Sequence, residues 1–300
     1  MSKLLKVIKD PRCLLRKMLA VGNFGWMEDK VYLKLMYYAH FGKKLDLEEP
    51  KTFNEKLQWL KLYDRNQEYC RMVDKYEAKQ YVAEKLGEEY IIPTLGVWDR
   101  FDDIDFDALP DRFVLKCTHD SGGLVIVKDK AKLDKVAAKK TIEKSMETNY
   151  FYSGREWPYK DVKPRIIAEQ YMQDVDKDEL SDYKVFCFCG RVELIQVHMG
   201  RFGYHTKDNY DINWNKLPFL HGNPMSDYNI EKPMILPQMV QLSEILSEKI
   251  PFLRVDWYFT NDKLYFGELT FFPASGMKPF VPEEWDLKLG DLISLPAKAK

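Results

Sequence analysis

Residues 254–276 read RVDWYFTNDKLYFGELTFFPASG, and the rest of the chain is organised around them. Two runs within this segment, 255–260 and 263–270, are rich in aromatic and β-branched residues, which favour strands. Between the runs stand Asn261 and Asp262, a pair that is typical of a tight turn. The segment is therefore predicted to form a β-hairpin.

The predicted hairpin places two carboxylates next to each other. Asp256 lies early in the first run and Glu268 late in the second, so folding brings them to neighbouring positions on adjacent strands. Arg254 supplies a cation beside them. Two interpretations are open at this point: the pair ligates a divalent metal that also holds phosphate, or it is a pair of solvated acids on an ordinary hairpin.

The composition indicates a globular chain without an overall charge field. The chain has 300 residues, of which 45% are hydrophobic and 14% aromatic, enough for a substantial core in one or two domains. Its 46 basic and 47 acidic residues leave a net charge of −1, so no nucleic-acid partner is expected.

The five cysteines indicate a reducing compartment, because their number is odd and their spacing forms no disulfide framework. Cys187 and Cys189 are expected on one face of a strand, and no second Cys/His pair has the spacing that a zinc site would need. We therefore expect a reduced, cytoplasmic protein.

The N-terminal region, residues 1–72, is expected to be helical and to carry no chemistry of its own. No run approaches the roughly 20 apolar residues of a transmembrane helix. Basic residues alternate with leucines in residues 1–20, without the apolar length or cleavage site of a signal peptide. Two interpretations of this stretch are open: peripheral contact with the inner face of the membrane, or packing of its leucines on the domain.

A second candidate site follows the predicted strand 113–117. Lys116 lies on one face of this strand, which leads into the loop Thr118-His-Asp-Ser-Gly-Gly at residues 118–123 and then into a strand at 124–127. Glycines let backbone N–H groups approach an anion, and the lysine adds a point charge. The pattern indicates a phosphate clamp, with an ordinary glycine hairpin as the alternative.

The segments between the two candidate sites include further expected strands and loops. Strands are expected at 165–172, at 182–190 and at 191–198, the last two turning at Gly190 and Arg191. Lys184 shares a strand face with phenylalanines and therefore needs an anion. The aromatic segment 149–163 is expected to be an ordered loop over a site, and residues 200–227 a loop that recognises an acceptor.

Taken in order, these segments resemble the ATP-grasp superfamily, and most closely its TupA-like branch from bacterial cell-surface polysaccharide biosynthesis. Each motif is short, and the order and spacing carry the likeness over roughly residues 45–280. The matching segments are PKTFNEKLQW at 50–59, VDKY at 73–76, IPTLG at 92–96, Lys116 with HDSGG at 119–123, IAEQY at 167–171, DYK at 182–184, RVD at 254–256 and GELT at 267–270 through Gly276.

The resemblance implies an α+β chain with the ATP-grasp fold. In that fold, two α+β subdomains with antiparallel sheets clamp ATP between them. Here the implied division is a helical N-terminal region at 1–72, a first ATP-grasp part with phosphate loop and hinge at 73–172, and a second part with the metal hairpin and acceptor loops at 173–300.

The resemblance also implies a site for ATP and Mg²⁺. Nucleotide contacts fall on Lys75 and Lys116 for the phosphates, on His119, Ser121, Gly122 and Gly123 in the closing loop, on Glu169, Gln170, Tyr171 and Met172 at the adenine hinge, on Asp182 for the ribose and on Lys184. The implied metal ligands are Asp256, Glu268 and Thr270, where Thr270 replaces the asparagine of many ligases. Arg254 and the backbone of Ser275 and Gly276, with Lys184, match catalytic groups that stabilise a tetrahedral intermediate.

The implied function is that of an ATP-dependent carboxylate–amine ligase, which forms an amide through an acylphosphate. Its substrate would be a uronic acid or an amino acid, with a small-molecule or polysaccharide-linked acceptor. Two alternatives are open. One is a glycosyltransferase of the same pathways that uses Asp174, Asp176 and Asp178 for a sugar-nucleotide metal, and the other is an ATP-binding protein without catalysis.

Overall fold

The computed structural model describes residues 12–21, 24–173, 181–200 and 203–298. Within them, nine strands form two antiparallel sheets, a four-stranded sheet of order β1-β4-β2-β3 and a five-stranded sheet of order β7-β6-β5-β8-β9. The strands are β1 Thr94–Trp98, β2 Phe113–Cys117, β3 Leu124–Val127, β4 Ile166–Gln170, β5 Ser181–Phe188, β6 Arg191–Met199, β7 Thr206–Tyr210, β8 Phe252–Thr260 and β9 Lys263–Thr270.

Helices dominate the described part of the N-terminal region and cover both sheets. They are α1 Arg12–Val21, α2 Asp29–Phe41, α3 Phe53–Tyr63, α4 Glu68–Val73, α5 Glu77–Leu86, α6 Lys135–Met146, α7 Phe151–Gly154, α8 Leu236–Leu246 and α9 Glu284–Asp291. Helix α3 begins with a capping box, in which Thr52 and Glu55 bond each other's backbone N–H groups. Helix α6 packs on β2 and β3, whereas α8 packs on β5, β6 and β8.

The core has two parts. The larger one joins the helices of the N-terminal region, from Leu19 onward, to the five-stranded sheet and the C-terminal segment. The smaller one lies between the four-stranded sheet and α6. The helices before residue 72 are therefore packed on the second sheet, although the sheet begins more than one hundred residues later in the chain. The predicted domain boundaries after residues 72 and 172 remain predictions.

The hairpin β8–β9 confirms the sequence prediction. Asn261 and Asp262 both have positive φ, at 49° and 57°. A two-residue turn in this conformation has a backbone twist that matches the right-handed twist of the flanking strands. Strand β9 has one residue more than β8 between this turn and the carboxylates, and a bulge at Gly267 absorbs it. Asp256 and Glu268 therefore pair directly across the two strands.

Three sequence expectations about the second sheet are wrong. Cys189 does not share a strand face with Cys187, because it lies in the turn at φ 50° and is exposed, whereas Cys187 is buried in β5. The turn consists of Cys189 and Gly190, and Arg191 already begins β6. The expected loop 200–227 contains the edge strand β7, whose polar sequence TKDNY lacks the β-propensity that would have indicated it.

The basic N-terminal stretch lies only partly within the described residues. From residue 12 on, α1 buries Leu19 and leaves Leu14 half-exposed, so some of its leucines pack on the domain. Residues 1–11 are outside the described part, and peripheral membrane contact through residues 1–20 stays a prediction. None of the described helices is long and apolar enough to cross a membrane.

The C-terminal helix α9 packs against α3 through a glycine. A Cβ on Gly290 would meet the backbone of Lys51 and would lie 2.7 Å from the backbone nitrogen of Phe53. Backbone atoms cannot move aside as a flexible side chain can, so the two helices approach this closely only because residue 290 is glycine.

We expect Gly290→Ala to lower the free energy of unfolding by about 1–3 kcal/mol, because overpacking outweighs the gain in helix propensity. Urea denaturation measures the change. Gly203→Ala is the control, since an added Cβ there meets nothing within 4 Å. An increase in stability for Gly290→Ala would show that α9 does not pack on α3 in this way.

Candidate functional site

On the four-stranded sheet, one buried carboxylate forms ion pairs with two lysines. Glu169 of β4 pairs with Val114 of β2, two residues before Lys116, so the Glu169 and Lys116 side chains share a face and form an ion pair. The second oxygen, Oε1, lies 2.5 Å from Nζ of Lys79 on α5. Burial opposes ionisation, but the attraction of Lys116 and then Lys79 lowers the pKa of Glu169 to about 2.

The loop after β2 is closed over Lys75. The Lys75 ammonium donates to the Cys117 carbonyl at 3.1 Å and to the Asp120 carbonyl. The Asp120 carboxylate accepts from the Gly123 N–H at 3.2 Å and from the Ser145 hydroxyl on α6. Lys75 therefore points at the predicted phosphate loop, and its own charge is met by that loop's carbonyl groups.

The individual loop residues have different surroundings. His119 is buried, with Nε2 3.1 Å from the Ser145 carbonyl and 3.2 Å from the Thr148 carbonyl, so its ring contacts the end of α6. A Cβ on Gly123 would collide with the Cys117 side chain, so close packing explains why residue 123 is glycine. Ser121 and Gly122 are exposed at the tip of the loop.

The five-stranded sheet brings the hairpin carboxylates together with two cations. Arg254 donates through Nε to Asp256 Oδ1 at 2.6 Å and through Nη2 to Asp256 Oδ2 at 2.8 Å. Its Nη2 also lies 3.0 Å from Glu268 Oε1 and 3.0 Å from Thr270 Oγ1. Lys184, which is opposite Asp256 in β5, forms an ion pair with it. Lys184 thus has the anion that its apolar strand face requires.

Charged groups from the two parts of the fold act on one another electrostatically. Burial opposes ionisation of Glu268, but Arg254, Lys184 and Lys75 together lower its pKa to about 2. Burial lowers the pKa of Lys116, and Glu169, Tyr258 and Glu268 more than compensate and raise it. Lys75, in the connection between α4 and α5, and Lys116 of β2 therefore act electrostatically on Glu268 of β9, and Lys75 and Glu268 line one cavity.

The hairpin fits a metal that is held jointly with another ligand. Asp256 and Glu268 are side by side, and the Thr270 hydroxyl lies 3.4 Å from Glu268 Oε1. Among the described residues, no group of three His, Cys, Asp or Glu side chains could hold a metal ion by itself. Mg²⁺ commonly takes one or two carboxylates and completes its shell with water and phosphate oxygens, so this donor set suits Mg²⁺ bound to a phosphate.

Residues 55–294 match the family described as TupA-like ATPgrasp. The chain belongs to this family. Its fold is accordingly the ATP-grasp fold, an α+β arrangement of two antiparallel sheets preceded by a helical region, as the sequence motifs predicted. No curated protein matches the chain.

Solved structures with a similar fold are ATP-grasp-type ligases of low sequence identity. The D-alanine–D-alanine ligase of Bacillus anthracis complexed with ATP is 16% identical, with 74% of this chain and 64% of that chain covered and a TM-score of 0.45. The Helicobacter pylori D-alanine–D-alanine ligase is 14% identical, with coverages of 82% and 70% and a TM-score of 0.43. The phosphoribosylamine–glycine ligase of Thermotoga maritima is 12% identical, with coverages of 68% and 48% and a TM-score of 0.41. The chain thus spans less than two thirds of the length of the Bacillus anthracis D-alanine–D-alanine ligase and of the Thermotoga maritima phosphoribosylamine–glycine ligase.

In this TupA-like ATP-grasp chain, the turn after β9 is strained and tightly held. Ala274, Ser275 and Gly276 all have positive φ, at 49°, 55° and 58°. Gln58 Nε2 donates to the Ser275 and Gly276 carbonyls at 3.1 and 2.9 Å. The Ser275 N–H donates to the Phe272 carbonyl at 2.7 Å, so it is used within the turn.

Lys61 is a site residue that sequence reasoning missed. Its ammonium is 1% exposed and lies 2.8 Å from the Gly154 carbonyl, the Ser275 carbonyl and the Ser275 hydroxyl. Glu156 is also buried and hydrogen-bonds Ser275. Gln58 and Lys61 of α3 therefore hold the turn that carries two predicted catalytic residues, a contact that the sequence did not indicate. That residues 1–72 carry no chemistry of their own stays a prediction. The sequence KTFNEKLQW marks the family but does not show what Lys61 contacts.

The aromatic segment 149–163, which was expected to be an ordered loop over a site, contains the short helix α7 and a 3-10 helix at Trp157–Tyr159. Its Arg155 is buried at φ 56°, donates to the Phe24 carbonyl at 2.6 Å and lies over the Tyr32 ring at 4.3 Å. Tyr150 hydrogen-bonds Ser121 of the phosphate loop. The segment thus links the N-terminal helices to the loop that is predicted to hold phosphate.

The remaining predicted residues lie at the ends of β4 and β5. Gln170 closes β4 and donates its N–H to the Pro93 carbonyl at 3.0 Å, and Tyr171 and Met172 follow without regular structure. Asp182 is buried 3.4 Å from the Lys184 ammonium. Residues 174–180, which include the three aspartates of the glycosyltransferase alternative, lie outside the described residues. The roles of all these residues stay predictions.

The folded-state pKa of Glu169 lies below the value of an unfolded glutamate, so its contribution to stability is complete above about pH 5 and is lost as the pH falls towards 2. Glu169→Gln removes this dependence. Between pH 7 and pH 4 we expect the wild type to lose about 1 kcal/mol more unfolding free energy than the variant. Urea denaturation at both pH values tests this, with the exposed Glu193→Gln as control. Equal losses in the wild type and Glu169→Gln would contradict the ion-pair network.

Proposed function

We propose that this protein is an ATP-dependent carboxylate–amine ligase. One observation carries the proposal: Lys75, between α4 and α5, lines one cavity with Glu268 of the Arg254–Asp256–Glu268 network, and Lys116 of β2 also acts on Glu268 electrostatically. Such an arrangement suits a triphosphate with its metal, because phosphoryl transfer depends on positioning and charge neutralisation more than on covalent help. Membership of the ATP-grasp family supports the same reaction class.

The reaction would proceed in two displacements. A carboxylate oxygen of the substrate attacks the γ-phosphorus of ATP, the bond from that phosphorus to the β–γ bridging oxygen breaks, and ADP leaves. An amine then attacks the acyl carbon of the acylphosphate, the carbon–oxygen bond to phosphate breaks, and the amine loses a proton. The products are an amide, ADP and phosphate.

The chain's own residues would divide the work by their positions. Lys75, Lys116 and Lys184 offset the negative charge of the phosphates, and the loop at 118–123 covers them. Asp256, Glu268 and Thr270 would hold Mg²⁺, which neutralises phosphate charge when bound. Arg254, whose Nη2 lies 3.0 Å from Thr270 Oγ1, would stabilise charge on the reacting carboxyl group.

The present ion pairs explain how these cations remain in the fold before nucleotide binds. A buried ammonium or guanidinium is costly unless a partner meets its charge. Lys116 uses Glu169, Lys75 uses loop carbonyl groups, and Arg254 uses Asp256 and Glu268. On binding, phosphate oxygens would replace or supplement these partners, so the site is assembled in advance.

The substrate and cellular setting follow from the family resemblance. The carboxylate would belong to a uronic acid or an amino acid, and the acceptor would be a small molecule or a polysaccharide-linked group in cell-surface polysaccharide biosynthesis. The protein would act in the cytoplasm, where residues 1–20 could bring it to the membrane surface.

We expect Lys116→Ala to weaken binding of Mg²⁺ with a non-hydrolysable ATP analogue by at least about tenfold, because the lysine supplies a charge-assisted contact to phosphate. Isothermal calorimetry measures it, with Lys140→Ala, an exposed lysine on α6, as control. UDP-sugars are titrated in parallel. Preference of the wild type for a UDP-sugar over the ATP analogue would overturn the ligase assignment in favour of a glycosyltransferase.

Asp256→Asn is expected to lower ADP release by about a hundredfold or more, because it removes a metal-ligand charge from the reacting end of the cleft. The assay is carboxylate-dependent ADP release over a panel of uronic acids and amino acids. Asp262→Asn is the matched control on the same hairpin, since asparagine tolerates the left-handed turn position. Unchanged ADP release in Asp256→Asn would refute the metal assignment, and a wild type that binds ATP without turnover on any substrate would indicate a non-catalytic protein.

A further inference from the structure

A buried carboxylate, that of Glu156, lies beside the Ser275 hydroxyl on the turn at 273–276. Glu156 is 4% exposed, and its side chain hydrogen-bonds that of Ser275. A Cβ added to Gly154 would lie 2.2 Å from Ser275 Oγ and 3.3 Å from Glu156 Oε1, so both oxygens adjoin the same glycine. The aromatic segment 149–163 and the turn therefore meet at these two side chains.

The hydrogen bonds around Ser275 leave its hydroxyl one position for a substrate. In the described part of the chain, Ser275 Oγ accepts from Lys61 at 2.8 Å. The hydroxyl proton has two acceptors nearby, the Gly154 carbonyl at 3.5 Å and the Glu156 carboxylate. Lys61 already donates to that carbonyl at 2.8 Å, so the charged carboxylate is the stronger acceptor. A hydroxyl oxygen has two lone pairs, and the second one on half-buried Ser275 can accept a substrate N–H.

Glu156 differs from the other carboxylates of the candidate site in its partners. Three of them are held in ion pairs: Glu169, Asp256 and Glu268. Within the described residues, no lysine or arginine forms an ion pair with Glu156. Burial raises the pKa of Glu156, and the charge of Lys61, the Ser275 hydroxyl and the charge of Arg254 only partly oppose this effect. Glu156 can therefore take up a proton without breaking an ion pair.

The Glu156 segment borders the cavity that the proposed nucleotide site shares. The Tyr159 N–H donates to the Glu156 carbonyl at 3.1 Å, and Tyr159 lines one cavity with Lys75 and Glu268. The titratable groups that face Glu156 are Lys61 of α3, Arg254 of β8 and, on its own segment, Tyr150 and Tyr159. Glu156 and Ser275 thus lie beside the groups that would meet the reacting phosphate and carboxyl.

We propose that the Ser275 hydroxyl and Glu156 take the proton that the amine loses when it attacks the acylphosphate. The amine nitrogen bonds to the acyl carbon, and the carbon–oxygen bond to phosphate breaks with its electron pair on the phosphate. The nitrogen proton passes to Ser275 Oγ while the hydroxyl proton passes to the Glu156 carboxylate, and Lys61 orients the hydroxyl. This inference rests on the proposed ligase function and assigns the proton acceptor that its second displacement requires.

The test compares two kinds of nucleophile on the same acylphosphate. Ammonia and glycine hold their protons firmly at neutral pH and need a proton acceptor, whereas hydroxylamine is weakly basic and releases its proton to water. D-Glucuronate and L-glutamate are the carboxylate probes, with Mg²⁺ and ATP, and the amide, hydroxamate and ADP formed are measured. The variants are Glu156→Gln and Ser275→Ala, with the exposed Glu193→Gln as the matched control.

We expect Glu156→Gln and Ser275→Ala each to lower kcat for amide formation by about a hundredfold, but hydroxamate formation by less than about threefold. The hydroxylamine reaction also shows that each variant is folded and completes the first displacement. In the wild type, only ionised Glu156 accepts a proton, so acidification should lower the ratio of amide to hydroxamate more steeply than in Glu156→Gln. Ionisations that both reactions share cancel in this ratio.

Four outcomes would overturn the assignment. They are unchanged amide formation in either variant, equal losses with both kinds of nucleophile, an equal pH dependence of the ratio in the wild type and Glu156→Gln, and a wild type that reacts with hydroxylamine but with neither ammonia nor glycine. A wild type that forms neither product counts instead against the ligase function itself.

Discussion

The pairing of Asp256 with Arg254 and Lys184 is the constraint on which the second sheet and its site both depend. Asp256 is buried, and a carboxylate removed from water costs several kcal/mol unless cations meet it. Arg254 stands two residues earlier on the same strand face, and Lys184 stands opposite on β5. A shift of one residue in the β5–β8 register would turn these charges into the apolar core, so the need to pair them also specifies how the strands align.

The buried charges at the four-stranded sheet are also paired, but there the positive charges outnumber the negative ones. Glu169 is one carboxylate between Lys79 and Lys116, so this side of the cleft keeps a surplus of positive charge. The second sheet supplies Glu268 across the cleft, where Lys75 acts on it. Each sheet thus holds costly charges that are only partly compensated within its own strands. Under the proposed function, a metal-bound triphosphate would complete that compensation, which connects the stability of these buried charges with affinity for nucleotide.

The N-terminal helices have a definite part in the site. Lys61 and Gln58 of α3 bond the carbonyl groups of a turn whose residues have positive φ, a conformation that needs support from its surroundings. Arg155 ties the aromatic segment to the same helices. The helical region therefore fixes two loops that border the cleft, and it shares one hydrophobic core with the sheet that carries the metal pair.

Much of the fold could be predicted because its signals are local. Asn261 and Asp262 specify a tight turn that brings Asp256 and Glu268 close together on adjacent strands, whereas their direct pairing depends on the bulge at Gly267. The order of short motifs along the chain predicted the ATP-grasp fold. Strand β7 was missed because an edge strand of polar residues has little local preference, and Cys189 was misplaced because turn boundaries depend on φ values that the sequence does not display.

The sequence by itself determined which residues carry charge, where most of the strands form, and which two carboxylates come close together on one hairpin. Only the tertiary structure decided which distant groups satisfy those charges: Lys61 meets Ser275 across 214 residues of chain, and Lys184 meets Asp256 across 72. The physical reason is that turn geometry and strand alternation act over a few residues, whereas the partner of a buried charge is whichever group the packing of sheets and helices brings within hydrogen-bond reach.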